Sequence, residues 1–205
     1  MGHIADRDFI RGEVPMTKEE VRAVSVAKLS LSEESVLIDV GAGTGSVGIE
    51  AATYIKKGKV FAIERKAEGI ELIKKNCEKF GIKNLEIIHG IAPDDLSIKN
   101  FDRMFVGGSG GNLDEIIKYF SEWGKKKSII VINIIALETL SKVQTLFEKY
   151  KIKNMEIINV SVSRGKRIGG YTMMYGENPI YIIRGEKGEE VNEYILWNRD
   201  MSGRS

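Results

Sequence analysis

The stretch VLIDVGAGTGSVGIEAA, residues 36–52, decides the fold. A short apolar run is followed by Asp39 and by glycines at three alternate positions, Gly41, Gly43 and Gly45. Glycine adopts positive φ and carries no Cβ, so a ligand can approach its main chain closely. A helix that begins behind such a turn offers free N–H groups at the positive end of its dipole. The stretch therefore predicts a strand, a tight turn and a helix that together bind a nucleoside cofactor.

Two cofactor classes compete for this glycine loop, with a turn that binds nothing as the third interpretation. The dinucleotide pattern G-x-G-x-x-G fits from Gly43 to Gly48, but its first glycine then lies well past the end of the strand. Counted from Gly41, the pattern D-V-G-x-G-x-G resembles motif I of the class I S-adenosylmethionine-dependent methyltransferases. In that register we expect contacts with the cofactor from Asp39, Gly41, Ala42, Gly43, Thr44 and Gly45.

Bulk properties exclude several classes of protein. The 205 residues suggest one domain, and a net charge of +2 gives no reason to expect nucleic acid as a partner. One cysteine, Cys77, and two histidines argue against a disulfide framework and a metal site. The longest apolar run, residues 128–137, falls short of the roughly 20 residues that cross a bilayer, and the N-terminus lacks a signal-peptide pattern. We expect a cytoplasmic enzyme that binds neither a membrane nor a metal.

Apolar periodicity predicts strands and helices in alternation along most of the chain. The predicted helices cover residues 17–31, with Thr17 and Glu20 as a capping box, and 44–56, 66–80, 112–123 and 137–150. The predicted strands cover residues 36–40, 59–64, 85–89, 101–106, 128–134, 155–162 and 179–184. The last two strands have no helix between them and should pair antiparallel.

This order of elements predicts an α/β protein with a Rossmann-like class I methyltransferase fold. Its mostly parallel sheet of seven strands should have an antiparallel last strand. The predicted organisation is an N-terminal segment at residues 1–16, a methyltransferase domain at 17–184 and a C-terminal tail at 185–205.

Two further positions at strand ends are candidates for cofactor binding. Glu64 ends the second strand about 20 residues past the glycine loop, where an acid commonly binds ribose hydroxyls. The alternative for Glu64 is a solvated charge. The third strand leads to Ile91 and Ala92, and many class I methyltransferases have an acid at the position of Ile91 that holds the adenine amino group. Because that acid is absent, we expect main-chain atoms around Ala92 to recognise the adenine.

Two loops are candidates for binding the second substrate. The fourth strand ends in VGGSGG, residues 106–111, where Gly108 and Ser109 would lie at the carboxyl edge of the sheet; a flexible surface loop is the alternative. Residues 163–174, which we interpret as a loop, contain Arg164, Lys166 and Arg167. These cations could bind carboxylates, could bind nucleic-acid phosphate, or could simply be solvated.

Several segments in order resemble one family. They are DRDFIRGEVPMTKEEVR, DVGAGTGSVGIE, VGGSGGNLDEI, IIALET and the SRG, GYTMM and NPI motifs near the end, between residues 6 and 184. Together they resemble the decarboxylating cobalt-precorrin-6B methyltransferases of cobalamin biosynthesis, which act at carbon 15 of the corrin precursor. VGGSGG and the RG and TMM motifs are the more discriminating parts.

The resemblance implies a methyl donor, an acceptor and an assembly. The donor would be S-adenosyl-L-methionine, and the acceptor a cobalt-containing tetrapyrrole that bears many carboxylates and loses an acetate side chain as carbon dioxide. The protein would be a homotetramer. Carried over by motif, Thr17, residues 41–45, Glu64 and Ala92 should contact the cofactor. Arg11 joins Arg164, Lys166 and Arg167 as our own candidates for the anionic substrate.

The sequence assigns no catalytic acid or base. Glu138 follows the fifth strand at the carboxyl edge of the sheet and is the best candidate, but a helix N-terminal charge favoured by the dipole is the simpler interpretation. An RNA methyltransferase that uses the basic loop on phosphate is the alternative function. The modest net charge and the lack of an added RNA-binding module argue against it.

Overall fold

A seven-stranded sheet forms the centre of the computed structural model, which describes residues 3–188. Its strands are β1 (Val36–Val40), β2 (Lys59–Glu64), β3 (Leu85–His89), β4 (Phe101–Val106), β5 (Gly124–Ile134), β6 (Ile152–Val160) and β9 (Ile180–Lys187). Their order across the sheet is β3-β2-β1-β4-β5-β9-β6. Strand β9 is antiparallel to both of its neighbours, β5 and β6, while the pairs among β1 to β5 are all parallel. The predicted mostly parallel sheet with an antiparallel last strand is confirmed.

Helices cover both faces of this sheet, as the alternation of strands and helices predicts. They are α1 (Glu19–Lys28), α2 (Ser46–Tyr54), α3 (Ala67–Phe80), α4 (Leu113–Trp123) and α5 (Leu137–Lys149). Successive strand residues point to opposite faces. Leu37 and Phe105 therefore pack in the cluster that includes α1 and α2. Ile38 and Met104 pack in the cluster that includes α4 and α5.

Helix α1 begins later than predicted and without the predicted capping box. Its N-cap residue is Lys18, with no side-chain hydrogen bond at the cap. The main-chain oxygen of Thr17 instead accepts a hydrogen bond of 2.7 Å from Arg22 Nη1. The capping-box prediction is wrong, because the helix begins after Lys18 and Thr17 contributes its main-chain oxygen, not its side chain, to a contact with Arg22.

A hairpin occupies the segment that the sequence predicted as a basic loop. Strands β7 (Ser163–Ile168) and β8 (Tyr171–Gly176) form a separate two-stranded antiparallel sheet. Gly169 has φ of 58° at the turn. Two residues, Gly169 and Gly170, separate the strands, which is a recognised hairpin signal that the charge of the segment obscured.

The last strand of the sheet extends beyond its predicted end. Strand β9 runs to Lys187, three residues past the predicted boundary at 184. The rest of the predicted tail, residues 189–205 with Trp197, lies outside the described residues. Among residues 3–188, the helices are too short or too polar to cross a membrane.

Candidate active site

The glycine loop between β1 and α2 adopts the conformation that its sequence predicts. Gly41 and Gly43 have φ of 70° and 58°. A Cβ on Gly41 would lie 2.4 Å from the main-chain oxygen of Gly108, and one on Gly43 would lie 2.8 Å from that of Pro15. Because both neighbours are main chain, neither position has room for a side chain. The loop is therefore packed directly against two other segments of the site.

Glu64 braces this loop from the end of β2. Its Oε2 accepts a hydrogen bond of 2.9 Å from Gly43 N–H, and its Oε1 accepts one of 2.9 Å from Lys66 N–H. The side chain is buried but lines the cavity described below. Since each carboxylate oxygen has two acceptor sites, Glu64 can still accept a hydrogen bond from a ligand hydroxyl.

Asp39 lies beneath the loop and not at its open side. The residue is 1% exposed, and its Oδ2 accepts a hydrogen bond of 2.9 Å from Gly48 N–H in the first turn of α2. Burial raises the pKa of Asp39 to about 7, against the hydrogen bond from Gly48 and with a smaller contribution from the charge of Glu64. The structure thus gives Asp39 a role in holding α2, where the sequence predicted a contact with the ligand.

Two other predicted cofactor contacts also lie behind the loop. Thr44 is fully buried, and Gly45, with φ of 78°, is the N-cap of α2. Neither residue lines the cavity. They lie on the inner side of the turn, and the part of the loop that lines the cavity is limited to residues 41–43.

A cavity of about 540 Å³ opens above the loop at the carboxyl ends of the parallel strands. This is the usual ligand position in open α/β sheets. Five strand ends contribute to its lining through residues 41–43, 64–66, 90–92, 107–110 and 133–135. The predicted contacts that line it are Thr17, Gly41, Ala42, Gly43, Glu64, Ala92, Gly108 and Ser109.

The far wall of the cavity comes from residues that the sequence did not single out. Val14, Pro15 and Met16 line it together with Thr17. They end a segment that we call the N-terminal strap, residues 4–17. The strap has little regular structure apart from one turn of 3-10 helix at Asp6–Asp8.

A buried arginine anchors the strap to α1 and α2. Arg22 is fully buried, and its Nε lies 2.8 Å from Glu50 Oε2. Its Nη1 donates to Asp6 Oδ1 at 2.9 Å and to the main-chain oxygen of Thr17 at 2.7 Å. The guanidinium also lies 4.8 Å from the ring centre of Phe9. One side chain therefore holds both ends of the strap.

Asn76 joins the middle of the strap to the glycine loop. Its Oδ1 accepts a hydrogen bond of 2.7 Å from Ile10 N–H, and its Nδ2 donates to the oxygens of Ile10 and Thr44 at 3.0 and 3.1 Å. A sequence signal existed, because Asn76 continues the buried face of α3 that includes Leu72 and Ile73. A polar residue on an apolar helix face needs a partner.

The loop after β3 brings Ala92, a predicted cofactor contact, to the wall of the cavity. Ala92 is buried, and its oxygen accepts a hydrogen bond of 3.2 Å from Asn112 Nδ2. Ile91 stands exposed at the rim, while Asp95 Oδ2 accepts a hydrogen bond of 2.7 Å from its N–H. This loop presents main chain and apolar side chains to the cavity.

Asn133 is a polar lining residue that the sequence did not single out. It lies near the end of β5, and its Nδ2 donates to Ser25 Oγ at 2.9 Å. Ser25 is buried in α1, so the orientation of the Asn133 amide is fixed.

The structure separates the predicted substrate-binding residues into three places. Gly108 and Ser109 line the first cavity, while Arg11 and Arg164 line a second cavity beside it. Lys166 and Arg167 are exposed on the β7–β8 hairpin and line neither. The catalytic candidate Glu138 is exposed in the first turn of α5 and also lines neither cavity.

The residues that the sequence considered for metal or redox chemistry have ordinary surroundings. Residues 3–188 contain no group of three or more His, Cys, Asp or Glu side chains placed to hold a metal ion. His89 Nε2 lies 3.2 Å from the main-chain oxygen of Arg65. Burial raises the pKa of the Cys77 thiol to about 11, so the thiolate is scarce at neutral pH.

Comparisons with known proteins match nearly the whole chain. A family model described as a precorrin methyltransferase domain matches residues 8–187. The probable cobalt-precorrin-6B C(15)-methyltransferase (decarboxylating) of Sulfolobus acidocaldarius is 43% identical over 190 residues, which cover 90% of this chain and 97% of that protein. Among solved structures, a precorrin-6Y C5,15-methyltransferase from Geobacter metallireducens has a TM-score of 0.84 and 37% identity, covering 90% of this chain and 97% of that one. A precorrin 8w decarboxylase from Methanobacterium thermoautotrophicum has a TM-score of 0.83 and 32% identity, covering 89% and 98%.

Proposed function

The chain belongs to the precorrin methyltransferase family, and we propose that it methylates carbon 15 of cobalt-precorrin-6B with loss of an acetate side chain as carbon dioxide. The observation that carries this function is the family match over residues 8–187, which includes every segment that lines the cavity. Relatives that match over nearly the whole chain carry cobalt-precorrin names, so RNA methylation is not favoured.

The cavity fits S-adenosyl-L-methionine as the methyl donor. Main chain at Gly41 and Gly43 leaves a surface without side chains, against which a nucleoside can pack. Glu64 would accept hydrogen bonds from the ribose, the main chain at Ala92 would recognise the adenine, and Thr17 would close the far side. When bound, this cofactor supplies an electrophilic methyl group on a sulfonium.

The protein residues then act mainly by alignment and by excluding water. Apolar side chains of Val14, Ile134, Val160 and Ile180 line the cavity beside the strand ends. The acids among the described lining residues are Glu64 and Glu177, and both already accept hydrogen bonds or pair with cations within the protein. The acceptor carbon belongs to an electron-rich conjugated ring, so a strong protein base is unnecessary. Positioning of the acceptor against the donor is the chief contribution to the rate.

Calorimetry with S-adenosylhomocysteine and NAD tests the cofactor half of this proposal. We expect the methionine nucleoside to bind and NAD not to bind. Gly43→Val should abolish binding, because its side chain would meet Pro15 main chain at a residue with φ of 58°. Circular dichroism should show that the variant keeps its fold. Binding of NAD without binding of S-adenosylhomocysteine would contradict the proposal.

We also propose that the protein is a homotetramer and acts in the cytoplasm. Association would cover large apolar side chains that the hairpin exposes, including Tyr171, Met173 and Met174. Light scattering on the purified chain tests the assembly, with a tetramer expected. A monomer at micromolar concentration would contradict it.

A further inference from the structure

A second cavity of about 610 Å³ lies beside the first, between the N-terminal strap, the start of α1 and the hairpin. Four cations line it, namely Arg7, Arg11, Lys18 and Arg164. Lys18 and Glu177 line the first cavity as well. The two cavities therefore adjoin at these two side chains.

The acids near the strap that line the second cavity are occupied by other groups. Asp6 Oδ1 pairs with the buried Arg22 at 2.9 Å. Glu19 Oε2 accepts a hydrogen bond of 2.8 Å from Asp6 N–H. Neither carboxylate forms an ion pair with a cation that lines the cavity, among the described residues.

The remaining acid and two of the cations form a closed network. Glu177 lies 2.5 Å from Lys18 Nζ and 3.0 Å from Arg164 Nε. Arg164 also pairs with both oxygens of Glu20, at 3.0 and 2.8 Å. The hydrogen bonds from Arg164 hold the pKa of Glu20 below its ordinary value. This network ties the hairpin to α1 and forms one side of the cavity.

Arg7 and Arg11 are left without such partners. Within residues 3–188, neither guanidinium has a hydrogen bond or an ion pair, and both residues are exposed. Their main chain is nevertheless held, because Ile4 and Phe9 of the strap are buried and Ile10 is bound to Asn76. Two unpaired arginines on an anchored backbone lose little chain freedom when they bind an anion.

We propose that the second cavity binds a carboxylate side chain of the tetrapyrrole through Arg7 and Arg11 while the ring reacts in the first cavity. Guanidinium groups bind carboxylates bidentately, which suits a rigid acceptor with carboxylates on its periphery. The first cavity must also hold the cofactor, so peripheral carboxylates extend beyond it. This inference rests on the proposed function, because that function supplies the polycarboxylate acceptor.

The test compares two double variants that remove the same charge. Arg7→Gln with Arg11→Gln empties the cavity of its unpaired cations. Lys125→Gln with Lys126→Gln, on exposed residues at the amino end of β5, is the matched control. The first readout is the Kd for uroporphyrin III, a porphyrin with an acetate and a propionate on each ring, from fluorescence titration. The second is the KM for cobalt-precorrin-6B.

We expect the arginine variant to raise both constants about tenfold, as two exposed charge pairs would. It should leave the Kd for S-adenosylhomocysteine unchanged, and the lysine control should behave as the wild type. Equal constants for the two double variants, or no binding of uroporphyrin by the wild type, would overturn the inference. Failure of the proposed function can be distinguished from failure of this inference. In that case the wild type would bind uroporphyrin and S-adenosylhomocysteine but would transfer no methyl group to the corrin precursor.

Discussion

The N-terminal strap and the β7–β8 hairpin differ in a way that their secondary structure conceals. The strap is almost without regular structure, yet Ile4, Phe9 and Val14 within it are at least 93% buried. The hairpin is regular, yet every residue of both its strands is exposed. Contacts with the core, and not regular hydrogen bonding, decide which segment is fixed against the site.

The same two segments show how charge density can mislead. Arg164, Lys166 and Arg167 stand within four positions of the hairpin, but only Arg164 lines a cavity. Arg7 and Arg11 are four positions apart in the strap, and both line the second cavity. The local number of cations therefore does not decide which of them line a cavity.

Removing the anchor of the strap should have the largest effect. Arg22→Met removes the guanidinium partner of the buried Glu50 carboxylate, which keeps only its contacts with His3 and the Ile4 N–H, so we expect a loss of about 3–5 kcal/mol in the free energy of unfolding. Urea denaturation measures this. Adding Glu50→Leu should recover part of the loss, because it removes the unpaired charge. A single variant as stable as the wild type would show that the strap needs no anchor.

Removing the Glu64 carboxylate, which accepts a hydrogen bond from the glycine loop, should have the second-largest effect, a loss of cofactor affinity. Glu64→Ala should weaken the binding of S-adenosylhomocysteine by about 1–3 kcal/mol, the cost of losing hydrogen bonds to a charged group. Calorimetry gives the Kd, and Glu71→Ala, on the exposed side of α3, is the control. An unchanged Kd for Glu64→Ala would confine this carboxylate to a structural role.

Loosening the middle of the strap should have a smaller effect. Asn76→Ala removes the hydrogen-bond partner of the Ile10 N–H and of the main-chain oxygens of Ile10 and Thr44. We expect the free energy of unfolding to fall by about 1–2 kcal/mol. Hydrogen exchange should show that the Ile10 amide loses protection, while amides in the core strand β4 keep theirs at low denaturant. Unchanged protection at Ile10 would mean that other contacts hold the strap.

Removing the two exposed charges of the β7–β8 hairpin that line neither cavity should have the smallest effect. Lys166→Gln with Arg167→Gln should change the free energy of unfolding and the binding of S-adenosylhomocysteine by less than about 0.5 kcal/mol, as is usual for exposed side chains. Thermal unfolding and calorimetry give the two values. A marked loss of cofactor affinity would mean that these hairpin side chains contribute to the first cavity. The hairpin and the strap would then not differ in their contribution to cofactor binding.

The local sequence pattern was sufficient to predict the order of the main strands and helices and the conformation of the glycine loop at Gly41 and Gly43. Strand and helix alternation predicted the sheet, and the glycine spacing predicted a turn in which Gly41 and Gly43 cannot carry side chains. The rest depends on pairs that are distant in the sequence. Asn76 and Ile10 are 66 positions apart, and Arg22 and Glu50 are 28 apart. No local window contains both members of such a pair, so the contacts that anchor the strap could not be predicted from local pattern.

Mass analysis of one reaction tests the proposed chemistry of the first cavity most directly. The purified chain is incubated with methyl-labelled S-adenosyl-L-methionine and cobalt-precorrin-6B. We expect a product that has gained one labelled methyl group in place of a hydrogen and has lost one carbon dioxide. A tetrapyrrole that returns unchanged, while RNA offered under the same conditions becomes labelled, would contradict it.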